Sequence, residues 1–190
     1  MKQDEVTCIG GITVYGASSD RIDSIYTDAA RALGQEIARA GRPLVCGGGR
    51  YGIMGAATEG VLAAGGEAIG VIPGFMVERG WENPALSKMI VTDGMHSRKK
   101  TMATLSIAAI ACPGGIGTFE ELTEIITWRE LGLWSGNIVI LDTDGYYTPL
   151  LEMLGKAASL GFMRSGHQAL WSVAHTPEEA VKMALMPSKD

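Results

Sequence analysis

The chain has 190 residues, with 16 basic and 21 acidic side chains and a formal net charge of −5. This length suits one domain over residues 1–190 with a single hydrophobic core, and the acidic balance disfavours a surface that binds nucleic acid. No apolar run approaches the roughly 18 residues of a membrane span, no classical signal peptide is present, and the three cysteines lack metal-site spacing. We therefore expect a cytoplasmic protein that uses no metal or other cofactor and binds no membrane.

Apolar strand patterns alternate with amphipathic helix patterns along the whole chain. In order, they predict a strand at 12–15, a helix over 22–40 ended by Gly41, a strand at 43–46, an alanine-rich helix through Ala64, strands at 67–72 and 89–92, a helix after His96, a strand at 108–112, a helix at about 118–131, a strand at 138–141, and helices near 146–160 and 177–185. Continuously apolar strands between helices are typical of a parallel sheet that is covered on both faces. The sequence thus predicts a Rossmann-like, doubly wound α/β fold with a mostly parallel sheet. Cys46 and Cys112 end apolar strands, and we expect both to be buried.

Three glycine-bearing loops each follow a predicted strand and open a helix, where backbone N–H groups and the helix dipole can bind a phosphate. They cover residues 16–19, 47–52 and 113–118. The second loop formally matches GxGxxG, but the next strand ends in Val-Ile-Pro-Gly without the ribose-binding acid of NAD proteins. A Walker loop is excluded because no GK[ST] follows. The candidate phosphate-binding residues in these loops are Ser18, Gly48, Gly49, Gly114, Gly115, Gly117 and Thr118.

Charged residues cluster at two predicted helix starts. Arg98, Lys99 and Lys100 begin one helix, where the dipole disfavours cations, so an anion is expected nearby. A solvated basic turn is the alternative interpretation for the two lysines, and His96 could cap the helix or pack. After the third loop, Glu120 and Glu124 can be explained as acids that compensate the dipole at a helix start. Glu121 is different, because a carboxylate beside an anion-binding loop repels a phosphate unless it faces positive charge in the ligand or in its reaction.

Taken together, these motifs resemble the LONELY GUY (LOG) family, once mislabelled lysine decarboxylases. The motifs are Gly47-Gly48-Gly49 with Gly52 and Met54-Gly55, Val71-Ile72-Pro73, Met95-His96 with Arg98-Lys99, and Pro113-Gly114-Gly115-x-Gly117-Thr118-x-x-Glu121. The resemblance covers roughly residues 12–160. It implies a Rossmann-like homodimer that hydrolyses the N-glycosidic bond of cytokinin riboside 5'-monophosphates, and often of AMP, to free base and ribose 5-phosphate. By motif match, the catalytic residues are Arg98 and Glu121, and Met95 and Lys99 join the substrate-binding set.

The sequence departs from the family pattern at several positions, and the departures bear on base recognition. Many members have an aspartate where this chain has Ile107, a glutamine where it has Glu130, and His-x-Lys-Pro where it has Trp-Ser-Gly-Asn at 134–137. An acid that often follows the Val-Ile-Pro strand is Gly80 here, although Glu78 and Glu82 lie nearby.

The chemistry of the Arg98 and Glu121 pair can be argued from the residue types alone. Breaking a ribosyl C–N bond creates oxocarbenium character, which a carboxylate beside the ribose stabilises while it orients water. Arginine is too basic to act as a general acid, so Arg98 is expected to act by its charge and by positioning. A non-catalytic nucleotide or molybdenum-cofactor carrier on the same scaffold remains the alternative, but a carrier needs no such carboxylate. A pyridoxal phosphate lysine has no supporting context.

A homodimer is the assembly that the resemblance implies. We expect its contact to include the helix after Thr118, because the large apolar residues Trp128 and Trp134 lie near the end of that helix, as interface or core.

Overall fold

Strands and helices alternate along the chain in the computed structural model, which describes residues 7–164 and 166–187. The strands are β1 (Gly11–Tyr15), β2 (Leu44–Cys46), β3 (Ala68–Pro73), β4 (Lys88–Thr92), β5 (Ser106–Ala111), β6 (Asn137–Leu141) and β7 (Ser172–Ala174). The helices are α1 (Ser24–Arg39), α2 (Gly52–Ala63), α3 (Gly74–Val77), α4 (Met95–Leu105), α5 (Ile116–Glu130), α6 (Thr148–Ser159) and α7 (Pro177–Ala184). Short 3-10 turns lie at Thr143–Gly145 and His167–Leu170.

The strands form one sheet in the order β4-β3-β2-β1-β5-β6-β7, and neighbouring strands pair in parallel throughout. Helices α1, α2 and α7 cover one apolar face of the sheet, and α4, α5 and the start of α6 cover the other. The predicted doubly wound α/β fold is therefore confirmed. We expected a mostly parallel sheet, and within the described residues every pair of neighbouring strands is parallel.

Helix α1 illustrates how local sequence and packing agree. The side chain of Asp23 caps it by accepting a hydrogen bond from the Ile25 amide at 3.0 Å, and apolar residues at helical spacing face the core. Gly34 lets α1 approach α2 closely, because a β-carbon there would lie 2.2 Å from the carbonyl oxygen of Ala57. The close approach is at the middle of α2, so the two helices pack tightly on the same face of the sheet.

The strand order reverses between β1 and β5, because the chain first builds β2, β3 and β4 on one side and then returns through α4 to the other. Open α/β sheets bind ligands beyond the carboxyl ends of their strands at such a switch point. Here the first and third glycine loops meet, since the amide of Cys112 donates to Tyr15 O at 2.9 Å and that of Ala17 donates to Pro113 O at 3.1 Å. The Ile53 amide donates to Ala17 O at 2.8 Å and adds the second loop.

The main differences from the sequence prediction are short elements. Helix α3, strand β7 and the two 3-10 turns were not predicted, because segments of three or four residues show no period. Strand β2 is as short, but its apolar residues stand directly before a glycine loop. Both Cys46 and Cys112 are buried as expected, and burial raises the pKa of the Cys112 thiol to about 12. In the described part of the chain, no helix has both the length and the apolar character that a bilayer crossing requires.

Candidate active site

A cavity of about 480 Å³ lies at the switch point, beyond the carboxyl ends of the central strands. All three glycine loops contribute to its wall, together with α4, α5 and the segment that follows β3. The lining residues are Gly16, Ala17, Ser18, Gly47, Gly49, Arg50, Tyr51, Met54, Ile72, Met76, Trp81, Arg98, Gly115, Gly117, Thr118 and Glu121. The structure thus brings both predicted catalytic residues together with residues from each predicted phosphate loop.

Arg98 is held rigidly in this cavity although it carries a charge. Its Nε donates to the carbonyl oxygen of Val71 at 3.1 Å, and its Nη2 donates to that of Gly47 at 3.2 Å. Its Nη1 lies 3.4 Å from Oε1 of Glu121, and the two side chains are only 8% and 11% exposed. The planar guanidinium therefore uses its fork of donors to join the middle of β3 and the residue after β2 to the carboxylate on α5.

Gly47 leaves the space that this arginine occupies. A β-carbon at position 47 would lie 1.8 Å from Nη2 of Arg98. A side chain there would push the guanidinium away from the two backbone carbonyls that accept its hydrogen bonds. The glycine is thus required by the arginine rather than by the conformation of the loop.

Glu121 lies on the second turn of α5 and faces the cavity. Burial raises the pKa of its carboxyl to about 6, while the positive charge of Arg98 opposes this shift. Tyr15 is buried nearby, and burial together with the charge of Glu121 raises the pKa of its hydroxyl. At neutral pH the Glu121 carboxyl is thus mostly ionised, and its pKa is close enough to the pH for it to exchange a proton.

The third loop is open toward the cavity at two of its glycines. The space in which a β-carbon of Gly115 or Gly117 would lie is free of protein atoms within 4 Å. Helix α5 begins at Ile116, and the first N–H groups of a helix have no intrahelical partners, so they are available to an anion. Gly114 differs, since a β-carbon there would lie 2.1 Å from Oγ1 of Thr118. Its role is packing within the loop.

Other predicted binding residues lie behind the cavity wall rather than in it. Gly48 has a positive φ of 78° and packs against Ile72, and its carbonyl accepts from the Asn83 amide at 2.8 Å. The sulfur of Met95 lies 4.0 Å from Nη1 of Arg98. Both residues therefore support groups that line the cavity.

Lys99 lies outside the cavity, in contrast to its neighbour Arg98. Its buried ammonium contacts Glu120 and lies 3.0 Å from Oε2 of Glu124. Burial alone would lower the pKa of Lys99, but its hydrogen bonds to the two carboxylates outweigh burial and raise it. The structure thus pairs Lys99 with α5 and does not bring it to the predicted phosphate site.

Aromatic and methionine side chains on the cavity wall were not among the predicted site residues. Tyr51, Met54 and Met76 line the cavity, as does Trp81, which follows the Val-Ile-Pro strand by several residues. The available signal was large apolar residues shortly after the ends of strands, in loops (Tyr51, Trp81) or in the helices that follow (Met54, Met76).

A second cavity, of about 690 Å³, lies near the amino end of β5, whereas the first cavity lies beyond the carboxyl ends of the strands. Ile107, Trp134 and Gly136, at which this sequence departs from the family pattern, line it. The indole of Trp134 donates to the carbonyl of Ala103 at 3.0 Å. Glu130, another departure, lies 3.2 Å from His167. These departures are therefore not placed to contact a ligand in the first cavity.

The fold and the site define the class of the protein: a Rossmann-like α/β protein with glycine loops and a buried arginine–glutamate pair around a cavity at the switch point. The family model described as "Possible lysine decarboxylase" matches residues 54–184. A probable cytokinin riboside 5'-monophosphate phosphoribohydrolase of Oryza sativa subsp. japonica is 39% identical over 90% of this chain and 70% of its own length. A cytokinin riboside 5'-monophosphate phosphoribohydrolase of Arabidopsis thaliana is 40% identical over 91% and 80%. The chain belongs to the LOG family.

Solved structures show the same fold in proteins with a different role. The molybdenum cofactor carrier protein of Chlamydomonas reinhardtii superposes with a TM-score of 0.70 at 28% identity, over 91% of this chain and 94% of the carrier. The molybdenum cofactor binding protein of Rippkaea orientalis has a TM-score of 0.68 at 24% identity, over 93% and 94%, and supports the fold alone.

Proposed function

We propose that the protein hydrolyses the N-glycosidic bond of purine riboside 5'-monophosphates, of the cytokinin type or AMP, to free base and ribose 5-phosphate. The observation that carries the proposal is the buried contact between Arg98 and Glu121 on the wall of the cavity. Relatives at 39% and 40% identity bear the name of this activity and support the assignment.

The 5'-phosphate is placed at the start of α5. Its negative charge is favoured there by the helix dipole, by the free N–H groups of the first turn and by the hydroxyl of Thr118. Gly115 and Gly117 allow the phosphate to approach the backbone, while Ser18 and Gly49 line the rest of the pocket. The ribose then lies toward Glu121.

Cleavage breaks the bond between the anomeric carbon and the base nitrogen, and water supplies hydroxide to the carbon. Glu121 stabilises the positive charge on the ribose and accepts the proton of the attacking water, for which a pKa of about 6 is well suited. The departing base takes the bonding electron pair and receives a proton from solvent, and Glu121 releases to solvent the proton that it took from water. Arg98 keeps its own proton, holds Glu121 in place and offsets negative charge on the leaving base.

The direct test is incubation of the purified protein with AMP and with an N6-substituted adenosine monophosphate. Chromatography should show equal amounts of free base and ribose 5-phosphate. The carrier alternative, favoured by the fold shared with the Chlamydomonas protein, predicts nucleotide binding without release of base. The older decarboxylase description has no support at this site, since no lysine is among the described residues that line the cavity.

The phosphate position is tested by Gly117→Val. Its side chain would extend into the free space of the cavity, so AMP affinity should fall by at least about tenfold, with the melting temperature nearly unchanged. Gly155→Val is the matched control, because Gly155 also lies in a helix with open space around it but does not line the cavity. Unchanged affinity in both Gly117→Val and Gly115→Val would contradict the assignment.

A homodimer whose contact includes α5 is part of the proposal. Leu131 and Leu133, which follow α5, are exposed and apolar, and the second cavity lies beside them. Covering this surface would remove apolar area from water. Light scattering at micromolar concentration should give twice the mass of the chain, and a monomeric mass would contradict the dimer.

The cytoplasmic location also remains a proposal. The cysteines Cys8, Cys46 and Cys112 are free, as is usual in a reducing compartment. Fractionation of the source cells would test it.

A further inference from the structure

Several aromatic and methionine side chains line the cavity together with the glycine loops. Tyr51, Met76 and Trp81 are among them. Trp81 lines the cavity and is still 48% exposed, although indole is among the most apolar side chains. An exposed aromatic side chain in a ligand cavity is available for stacking.

The segment that carries Trp81 is fixed by hydrogen bonds to the second glycine loop. The amide of Asn83 donates to Gly48 O at 2.8 Å, and Glu82 forms an isolated antiparallel bridge with Gly49. The amide of Trp81 itself donates to Met76 O at 3.1 Å. The backbone therefore holds the indole at the cavity wall before any ligand arrives.

A cation occupies one face of the indole. The guanidinium carbon of Arg79 lies 5.1 Å from the Trp81 ring centroid and 5.5 Å from that of Phe75, so the arginine bridges two aromatic rings. Arg79 lies over one face only, and Trp81 lines the cavity while 48% exposed, so we infer that the second face is open to another planar group. Phe75 does not line the cavity.

The strand order matches the order of groups in a nucleotide. The proposed phosphate loop follows β5 and the Trp81 segment follows β3, which are three strand spacings apart, or about 14 Å. Arg98 lies between them, because it contacts the carbonyls that end β2 and the central part of β3 as well as Glu121 on α5. Phosphate, ribose and base can thus follow one another from α5 to Trp81.

We propose that the free face of the Trp81 indole is the platform on which the base of the nucleotide stacks, and that Trp81 thereby sets the affinity for the base. This inference rests on the proposed function. Stacking acts equally on the bound substrate and on the transition state, so it should determine KM rather than kcat.

The experiment compares Trp81→Ala, Trp81→Phe and Phe75→Ala with the wild-type protein. In Trp81→Ala, KM for AMP should rise by about tenfold or more, the loss that base–aromatic stacking predicts, while kcat changes by less than about threefold. The inhibition constant of ribose 5-phosphate, which has no base, should be unchanged. Trp81→Phe should restore most of the affinity, and Phe75→Ala should retain wild-type KM.

The outcomes separate this inference from the proposed function. An unchanged KM in Trp81→Ala, with wild-type release of base, would overturn the stacking role and leave the hydrolase in place. Weaker inhibition by ribose 5-phosphate in Trp81→Ala would also overturn it, because the loss would then come from a displaced loop. If the wild-type protein releases no base, the proposed function fails. AMP should then still quench tryptophan fluorescence less in Trp81→Phe than in Trp134→Phe, and equal quenching would overturn the platform.

Discussion

Two neighbouring cations of α4 form three ion pairs with carboxylates of α5. Arg98 pairs with Glu121, whereas Lys99 pairs with Glu120 and Glu124. The two cations are almost equally buried, with side chains 8% and 7% exposed. The carboxylates differ, because Glu121 is 11% exposed while Glu124 and Glu120 are 26% and 52% exposed.

The difference shows that the direction in which a charge faces decides its role. Successive residues of a helix point about 100° apart, so Arg98 can face the cavity while Lys99 faces the seam between the helices. Burial against the cavity wall raises the pKa of Glu121, and the contact with Arg98 does not fully compensate. We therefore assign chemistry to the Arg98–Glu121 pair and packing of the helices to the two ion pairs of Lys99. Four predictions test this assignment, starting with the largest effect.

Glu121→Gln should lower kcat for AMP by about 100-fold or more, with a much smaller change in KM. The variant keeps size and hydrogen bonding but removes a charge that acts mainly in the transition state. Steady-state kinetics on AMP and an N6-substituted analogue measure both constants. Near-wild-type turnover would remove Glu121 from the mechanism and favour the carrier alternative.

Activity should decrease as the pH falls through about 6. The reaction needs ionised Glu121, and because burial raises its pKa to about 6, protonation inactivates the site well above the ordinary range of a glutamate. Substrate phosphate titrates in the same region, so the carboxyl should also be titrated by ¹³C NMR in the ligand-free protein. The resonance that Glu121→Gln removes should titrate near pH 6, and a midpoint below 4.5 would contradict the burial argument.

Lys99→Met should lower the free energy of unfolding by about 1–3 kcal/mol and leave kcat within about threefold. The methionine fills the space of the lysine stem but leaves two carboxylates without their cation. Urea denaturation and steady-state kinetics on the same preparation test the separation. A large loss of AMP affinity without a loss of stability would instead return Lys99 to the phosphate site.

Glu124→Gln should have the smallest effect, below about 1 kcal/mol in stability and none in turnover. Its carboxylate is partly solvated, and Glu120 remains as a partner of Lys99. This variant is also the matched control for Glu121→Gln, because it makes the same chemical change on the same helix. A comparable drop in turnover would show that the ion pairs of Lys99 also serve the reaction.

The fold and the centre of the site could be predicted because their signals are local. Apolar strands, glycine turns and helix starts alternate within short windows, and Arg98 and Glu121 stand at fixed distances from such turns. The place of Lys99 could not be predicted in this way. Lys99 is adjacent to Arg98 at the same helix start, so the sequence pattern does not distinguish them. Only the packing of α4 against α5 determines which cation faces the cavity.

Trp81 was not predicted as a site residue for a related reason. Its segment has no regular period, and its position depends on hydrogen bonds to a loop more than thirty residues earlier, such as that between Asn83 and Gly48. The sequence also left open what the departures at Ile107 and Trp134 do. The fold places both residues beside a second cavity, near the amino end of β5.

The contact between Gly47 and Arg98 constrains how relatives of this protein can diverge. A β-carbon at position 47 would lie 1.8 Å from the guanidinium, which cannot retreat without losing its hydrogen bonds to Gly47 and Val71. As long as a lineage keeps the arginine, selection must therefore keep the glycine. Once the arginine is lost, the severe clash disappears, and the Met54 sulfur, 3.0 Å from such a β-carbon, is the remaining close neighbour. A side chain at this position in a related sequence thus marks a lineage in which the arginine has already been lost or moved.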